Sequence, residues 1–212
     1  MLSIELQDFF NSTGGQIVFS IALFIVLFIM LGLLYKKKRF SVRSLTFMAM
    51  SISLALILSN VKLFSYSTGG AITAFSMFFI TIIGYVYGPL SGILSGVAFG
   101  FLSFIVEPQF FTPVQVVLDY PIAFGLLGLS GVFASKKQGI YIGYCIGCLG
   151  RMAASTISGI VFFGSFAPEG MNPVIYSLGY NASYIIPEMI MTILIISIPP
   201  VKDAIERLKT SI

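Results

Sequence analysis

Apolar runs long enough to cross a bilayer follow one another along nearly the whole chain, at about 16–35, 43–60, 71–87, 89–106, 113–133, 139–163 and 177–199. A membrane helix needs roughly 20 mainly apolar residues, and within lipid such a segment must satisfy its own backbone polar groups. Hydrophobic residues make up 57% of the 212 and charged residues only 9%, against about a quarter charged in a soluble domain. A water-soluble fold would lack a surface. The expectation is an all-α integral membrane protein in one membrane domain.

Charge orients the spans. The net charge of +4 comes from three clusters: Lys36, Lys37, Lys38, Arg39 and Arg43; Lys136 and Lys137; Lys202, Arg207 and Lys209. They follow spans one, five and seven and hold ten of the twelve Lys and Arg. The positive-inside rule makes that side cytoplasmic, so the excess is explained without nucleic acid. The amino terminus is expected outside and the carboxyl terminus inside, in a cell membrane. Glu5 and Asp8 precede the first apolar run and the basic run follows it, the reverse of a cleaved signal peptide. Residues 1–42 therefore read as a retained anchor with a basic linker, 43–200 as a six-helix core and 201–212 as a cytoplasmic tail.

Several chemistries are excluded. With no His, the chain has neither an HExxH zinc site nor a Ser–His pair, and it carries no GxxxxGK[ST] phosphate loop. Asp119 is the only Asp within a span, so no aspartyl dyad can form. Cys145 and Cys148 make a CxxC inside an apolar span, and without a second pair they read as small residues of a membrane helix. No enzyme activity, metal or cofactor is expected. Binding or transport remains.

Ionisable groups inside a bilayer are costly and mark functional positions. Here they are Asp119, Arg151 and Glu188. Each has company at four-residue spacing, which shares one helix face. Span five offers Gln115 and Asp119, followed by Tyr120; span six offers Arg151, Ser155, Gly159 and Phe163. Span seven and its approach offer Tyr176, Tyr180 and Tyr184, with Asn181 and Glu188 alongside. Small and polar residues also serve as helix-packing glue, and that account suffices for Gly84, Gly88, Gly92, Gly96 and Gly100, at every fourth position. It fits the other stripes less well, because packing does not require an acid, an amide and three tyrosines together. Acidic groups and tyrosine rings suit a flat cationic ring, captured from outside. With no motor of its own, the chain must draw energy from a partner or an ion gradient.

Three segments carry a family resemblance: STGGAITAFSM at 67–77, VQVVLDYPIAFGLLGLSGVF at 114–133 and ISGIVFFGSFAPEGMNPVIYSLGYNASYIIPE at 157–188. Over about Arg43 to Pro199 the chain resembles the thiamine-specific S component (ThiT/YuaJ family) of energy-coupling factor (ECF) vitamin transporters. The resemblance implies six membrane helices with both ends cytoplasmic, to which the first span here is an addition. It also implies a subunit that binds thiamine from outside and presents it to one transmembrane coupling protein with two ATPases. Small residues on the family's first core helix contact the coupling protein, a pattern that Ala49 and Ser53 match. The family's pocket positions fall on Asp119, Tyr120, Gly159, Phe163, Tyr176 and Asn181, with Gln109 in a loop. Where the family has a His beside the ligand this chain has Ser155, and where some members have Trp it has Phe163. The implied ligand is thus thiamine or a related cationic or pyrimidine vitamin precursor. The alternative is a self-sufficient proton-coupled transporter using Asp119, Arg151 or Glu188.

Overall fold

The computed structural model describes residues 40–66 and 70–211, with Gly14, Val18, Ile21, Ala22 and Ile25 of the leading segment. Apart from those five positions, the span expected at 16–35 and the basic run at 36–39 lie outside the described residues. Six apolar helical segments follow. α1 (Val42–Ser59) starts at Ser41, whose hydroxyl accepts the Ser44 N–H at 3.1 Å, an ordinary N-cap. α2 is Ser76–Tyr87, α3 Pro89–Val106, α4 Pro113–Phe133, α5 Gly139–Phe162 and α6 Pro173–Ile196. All but α2 are long and apolar enough to cross a membrane. Their limits fall within a residue of where the apolar runs predict, except that α6 lies about one turn earlier, at Pro173–Ile196 where 177–199 is expected.

The span expected at 71–87 needs correction. α2 has 12 residues, about 18 Å at 1.5 Å per residue, where the hydrocarbon layer is about 30 Å thick. Phe75 precedes it at φ 63 and Gly88 follows it at φ 91, so the backbone leaves the helix at both ends. The residues ahead of α2 form an antiparallel hairpin of β1 (Lys62–Ser65) and β2 (Ala71–Thr73), in which Lys62 faces Thr73 and Ser65 faces Ala71.

α4 is continuous but not uniform. It is α-helical over Pro113–Val117, widens to a π turn over Leu118–Ile122, returns to α over Ala123–Leu126 and ends as a tight 3₁₀ stretch over Leu127–Phe133. Pro121 lies inside the wide turn, where it has no N–H to donate and its ring repels the carbonyl one turn back. The Ala123 N–H then donates to the Leu118 carbonyl, five residues earlier.

α3 and α4 form the centre. A Cβ added at Gly92 would stand 2.6 Å from Gly84 Cα and 2.7 Å from Gly128 Cα, so α2, α3 and α4 meet backbone to backbone. One added at Gly100 would stand 2.5 Å from the Tyr120 carbonyl oxygen, so α3 backs directly onto the π turn. The glycine stripe is packing, with Gly88 making the turn between α2 and α3.

The carboxyl-terminal tail is helical. Pro199 and Pro200 break it from α6, and α7 (Pro199–Thr210) buries Ile205 against Tyr85, Ile140 and Ile196. Lys209 donates to the Ala134 carbonyl, and the Arg43 guanidinium donates to the Ser211 carbonyl at 2.6 Å. The start of α1, the loop bearing Lys136 and Lys137, and α7 therefore meet at one end. At the other, Lys62 of the hairpin pairs with Glu107 of the α3–α4 loop.

Candidate binding site

At the hairpin end the helices part around a cavity of about 450 Å³. The π turn of α4 brings Asp119 and Tyr120 to its wall, since the wide turn rotates this pair against the helix beyond Pro121. Gln115, one turn earlier, accepts the Phe111 N–H on Oε1 at 3.0 Å, which leaves its amide NH₂ to donate to Asp119 Oδ2 at 2.6 Å. The Tyr120 hydroxyl accepts the Gln109 N–H and donates to the Glu107 carbonyl, both at 2.9 Å. The α3–α4 loop is thereby held against the turn.

α5 contributes Arg151, Ser155, Gly159 and Phe163 in a line from mid-helix to the mouth. The Arg151 guanidinium lies 4.5 Å from the centroid of the Phe124 ring, a cation–π contact. It is not ion-paired with Asp119, because the salt bridge among the described residues is that of Lys62 with Glu107. Gly159 keeps α5 and α6 close: a Cβ there would meet Ser177 Oγ at 2.8 Å.

α6 supplies the aromatic wall. Tyr176 and Tyr180 stack with centroids 6.3 Å apart, and Tyr184 meets Tyr180 edge-on at 5.7 Å. The Tyr184 hydroxyl donates to Asn181 Oδ1 at 2.5 Å, while Asn181 Nδ2 donates to the Ser177 carbonyl at 2.9 Å. From the hairpin, the Gly70 N–H donates to the Tyr180 hydroxyl at 2.6 Å.

Gln109, Asp119, Tyr120, Ser155, Gly159, Phe163, Tyr176 and Asn181 all line this one cavity, and so does Arg151. Glu188 does not. It is 2% exposed, behind the wall. Its Oε2 accepts the Thr73 N–H at 3.1 Å and the Thr73 hydroxyl at 2.7 Å. Its Oε1 accepts the Ser76 hydroxyl at 3.3 Å and the Met77 N–H at 3.2 Å. Lys62, Thr73 and Ser177 also reach the wall; the first two arrive only because the hairpin folds over, which periodicity cannot show, whereas Ser177 stands four residues before Asn181 on the same helix face. The cysteines take no part: Cys148 is buried with its Sγ 3.9 Å from Met77 Sδ. Among the described residues no three His, Cys, Asp or Glu gather as metal ligands. A carboxyl group, a guanidinium and stacked phenol rings in one cleft suit a flat heterocycle that carries both positive charge and hydrogen-bond acceptors.

Residues 45–207 match the model of the family described as thiamine transporter protein (Thia_YuaJ). The chain is 37% identical over 164 residues to the thiamine transporter ThiT of Bacillus subtilis (strain 168), over 70% of this chain and 85% of that protein. It is 32% identical over 128 residues to the thiamine transporter ThiT of Lacticaseibacillus paracasei, over 54% of this chain and 60% of the relative. Its fold is similar to the solved structure of ThiT from Listeria monocytogenes, with a TM-score of 0.70 and 22% identity, over 78% of this chain and 96% of that one. That last likeness concerns the fold, an all-α multi-pass membrane architecture. From early in α1 to well inside α7, the chain belongs to the thiamine transporter (Thia_YuaJ) family, a family of transporters rather than enzymes.

Proposed function

We propose that the chain captures thiamine at the outer face of the cell membrane, as the substrate-binding subunit of an ECF-type importer. Asp119 faces the cationic part of the ligand, and Phe163 and Tyr176 flank its rings. Asn181 and Arg151 donate to its acceptor atoms, while Gln109, Tyr120, Ser155 and Gly159 complete the wall. The observation that carries this reading is the meeting of Asp119, a guanidinium with no carboxylate partner among the described residues and a run of phenol rings in one cavity of about 450 Å³. That volume is within the usual range for small-molecule sites.

The end where Lys136, Lys137 and α7 gather is the cytoplasmic one, so the hairpin end opens outside. Residues 1–42 are a separate anchor, 43–200 the binding core and 201–212 a cytoplasmic tail. Transport energy comes from a transmembrane coupling protein with two ATPases. That protein docks on α1 at Ala49 and Ser53, both exposed. The Ser53 hydroxyl is turned back onto the Ala49 carbonyl at 2.9 Å, which leaves a small surface that another helix can approach closely. A proton-coupled mechanism through Glu188 is less well supported, because both of its oxygens already accept a backbone N–H and lie against the Thr73 and Ser76 hydroxyls.

Calorimetric titration of thiamine into the purified protein tests capture, and a tight one-to-one isotherm is expected. No binding of thiamine beside tight binding of another cationic or pyrimidine vitamin would reassign the ligand. Copurification of the coupling protein and ATPases tests the module. Uptake that survives loss of the ATPases but collapses with a proton ionophore would establish the proton-coupled mechanism instead.

A further inference from the structure

We infer that Glu188 is a positioning residue for ligand capture, fixing the hairpin and the first turn of α2 as a wall of the cavity at a set distance from the tyrosine face of α6. The inference rests on the cavity being the ligand site. Glu188 stands one helical turn beyond Tyr184 on the same helix. Its four hydrogen bonds reach the last residue of β2 and the first two residues of α2. Two of those partners, Thr73 and Ser76, line the cavity. One carboxyl group therefore joins three elements at the point where the span departs from a helix.

The arrangement is specific to a carboxyl group. α2 has no side-chain cap from its own N-cap residue Phe75, and its first N–H groups need an acceptor. Glu188 supplies one to Met77 across the helix interface. Each oxygen takes one backbone N–H; the Thr73 hydroxyl donates to Oε2, and the Ser76 hydroxyl has its proton shared between Oε1 at 3.3 Å and Thr73 Oγ1 at 2.7 Å. An amide in place of the carboxyl group would turn its NH₂ toward a backbone donor whichever way it flipped. The hairpin's other polar attachments are slighter: one hydrogen bond from Gly70 to Tyr180, and a Lys62–Glu107 pair whose side chains are 34% and 53% exposed, a class of contact that contributes little in water. Its apolar attachments are Tyr66, edge-on to Tyr180 at 6.0 Å, and Ile72, packed on the core; neither fixes the backbone of β2 against α2. If the wall is formed for only a fraction of the time, the apparent dissociation constant rises by the reciprocal of that fraction.

The test compares the full-length protein with Glu188→Gln by hydrogen exchange without ligand and by thiamine titration. Exchange should rise over residues 62–77 while α3, α4 and α5 stay protected, and the dissociation constant should rise about tenfold, as it does when the competent wall is populated about a tenth of the time. Thr73→Val removes the hydroxyl that bonds both Glu188 and Ser76 and keeps both backbone bonds to the carboxyl group. It should show the same pattern with about a threefold loss, a wall populated about a third of the time, and it takes over if Glu188→Gln does not fold. Loosening spread evenly over all helices would reduce Glu188 to a general stability role and overturn the inference. So would local loosening with unchanged affinity, or no local loosening at all. If the wild type takes no thiamine, the capture proposal fails by itself, and the exchange comparison still decides whether Glu188 holds the wall.

Discussion

Asp119→Asn separates charge from shape at the centre of the cavity. Asp119 is half-buried at the wall and accepts the Gln115 amide at 2.6 Å. Asn can offer its own oxygen to that amide, so the contact within α4 survives and only the charge is removed. Truncating one partner of a hydrogen-bonded charge pair costs about 2–5 kcal/mol, much of it from stranding the other charge. The open cavity argues for the lower end of that range, about 2 kcal/mol, or about thirtyfold in the thiamine dissociation constant. A neutral pyrimidine analogue lacking the cationic ring should change by no more than about twofold, the scale of an indifferent substitution. Both ligands are titrated calorimetrically into detergent-purified wild type and variant, with thermal unfolding as the folding control. Equal losses for the charged and neutral ligands would show that Asp119 braces α4 and does not meet the cation.

Ser155→His should tighten thiamine binding by about 1 kcal/mol, the size of one net hydrogen bond or about fivefold; weaker thiamine binding beside tight binding of another vitamin would move the assignment to that vitamin. Ala49→Phe or Ser53→Phe should impair uptake in cells and spare binding by purified protein, because both residues face outward from α1; parallel loss of both activities would refute a docking role. Lys62→Glu or Glu107→Lys should speed thiamine release by up to about fivefold, the most an exposed pair of roughly 1 kcal/mol allows, and the double exchange should restore it. Failure of the double exchange would mean that the pair does not hold the hairpin. Protein lacking residues 1–38 should bind normally, because the cavity wall among the described residues begins at Leu56; loss of binding by a folded truncation would place the leading segment in the site.

Where lipid and helical period decide, the chain is legible. The limits of α3 and α5 follow from apolar length, the Gly84–Gly100 stripe from the need for close helix approach, and the cavity face of α5 from four-residue steps. What escapes is set by contacts distant in the chain. The run at 71–87 is apolar throughout, yet nothing local announces that Phe75 takes a left-handed backbone and that the residues before it pair as strands. The π turn has a partial sign in Pro121, a residue that removes a hydrogen bond from a helix interior, yet Pro187 stands inside α6 without such a turn. Asp119 and Glu188 are alike in sequence, each a lone acid in an apolar span. One faces the cavity and the other is closed off by donors from the hairpin, a difference settled by a pairing that periodicity cannot display.

The bare backbone contact between α3 and α4 bears on how such a protein changes its cargo over generations. A methyl group at Gly100 would already collide with the Tyr120 carbonyl oxygen, so no graded series of substitutions can shift the strand of chain that presents Asp119. The facing wall is built otherwise, from the side chains of Ser155 and Phe163 at α5 and Tyr176 and Asn181 on α6. Descendants that acquire a new ligand should therefore keep the acid and the glycines and diverge at positions 155, 163, 176 and 181.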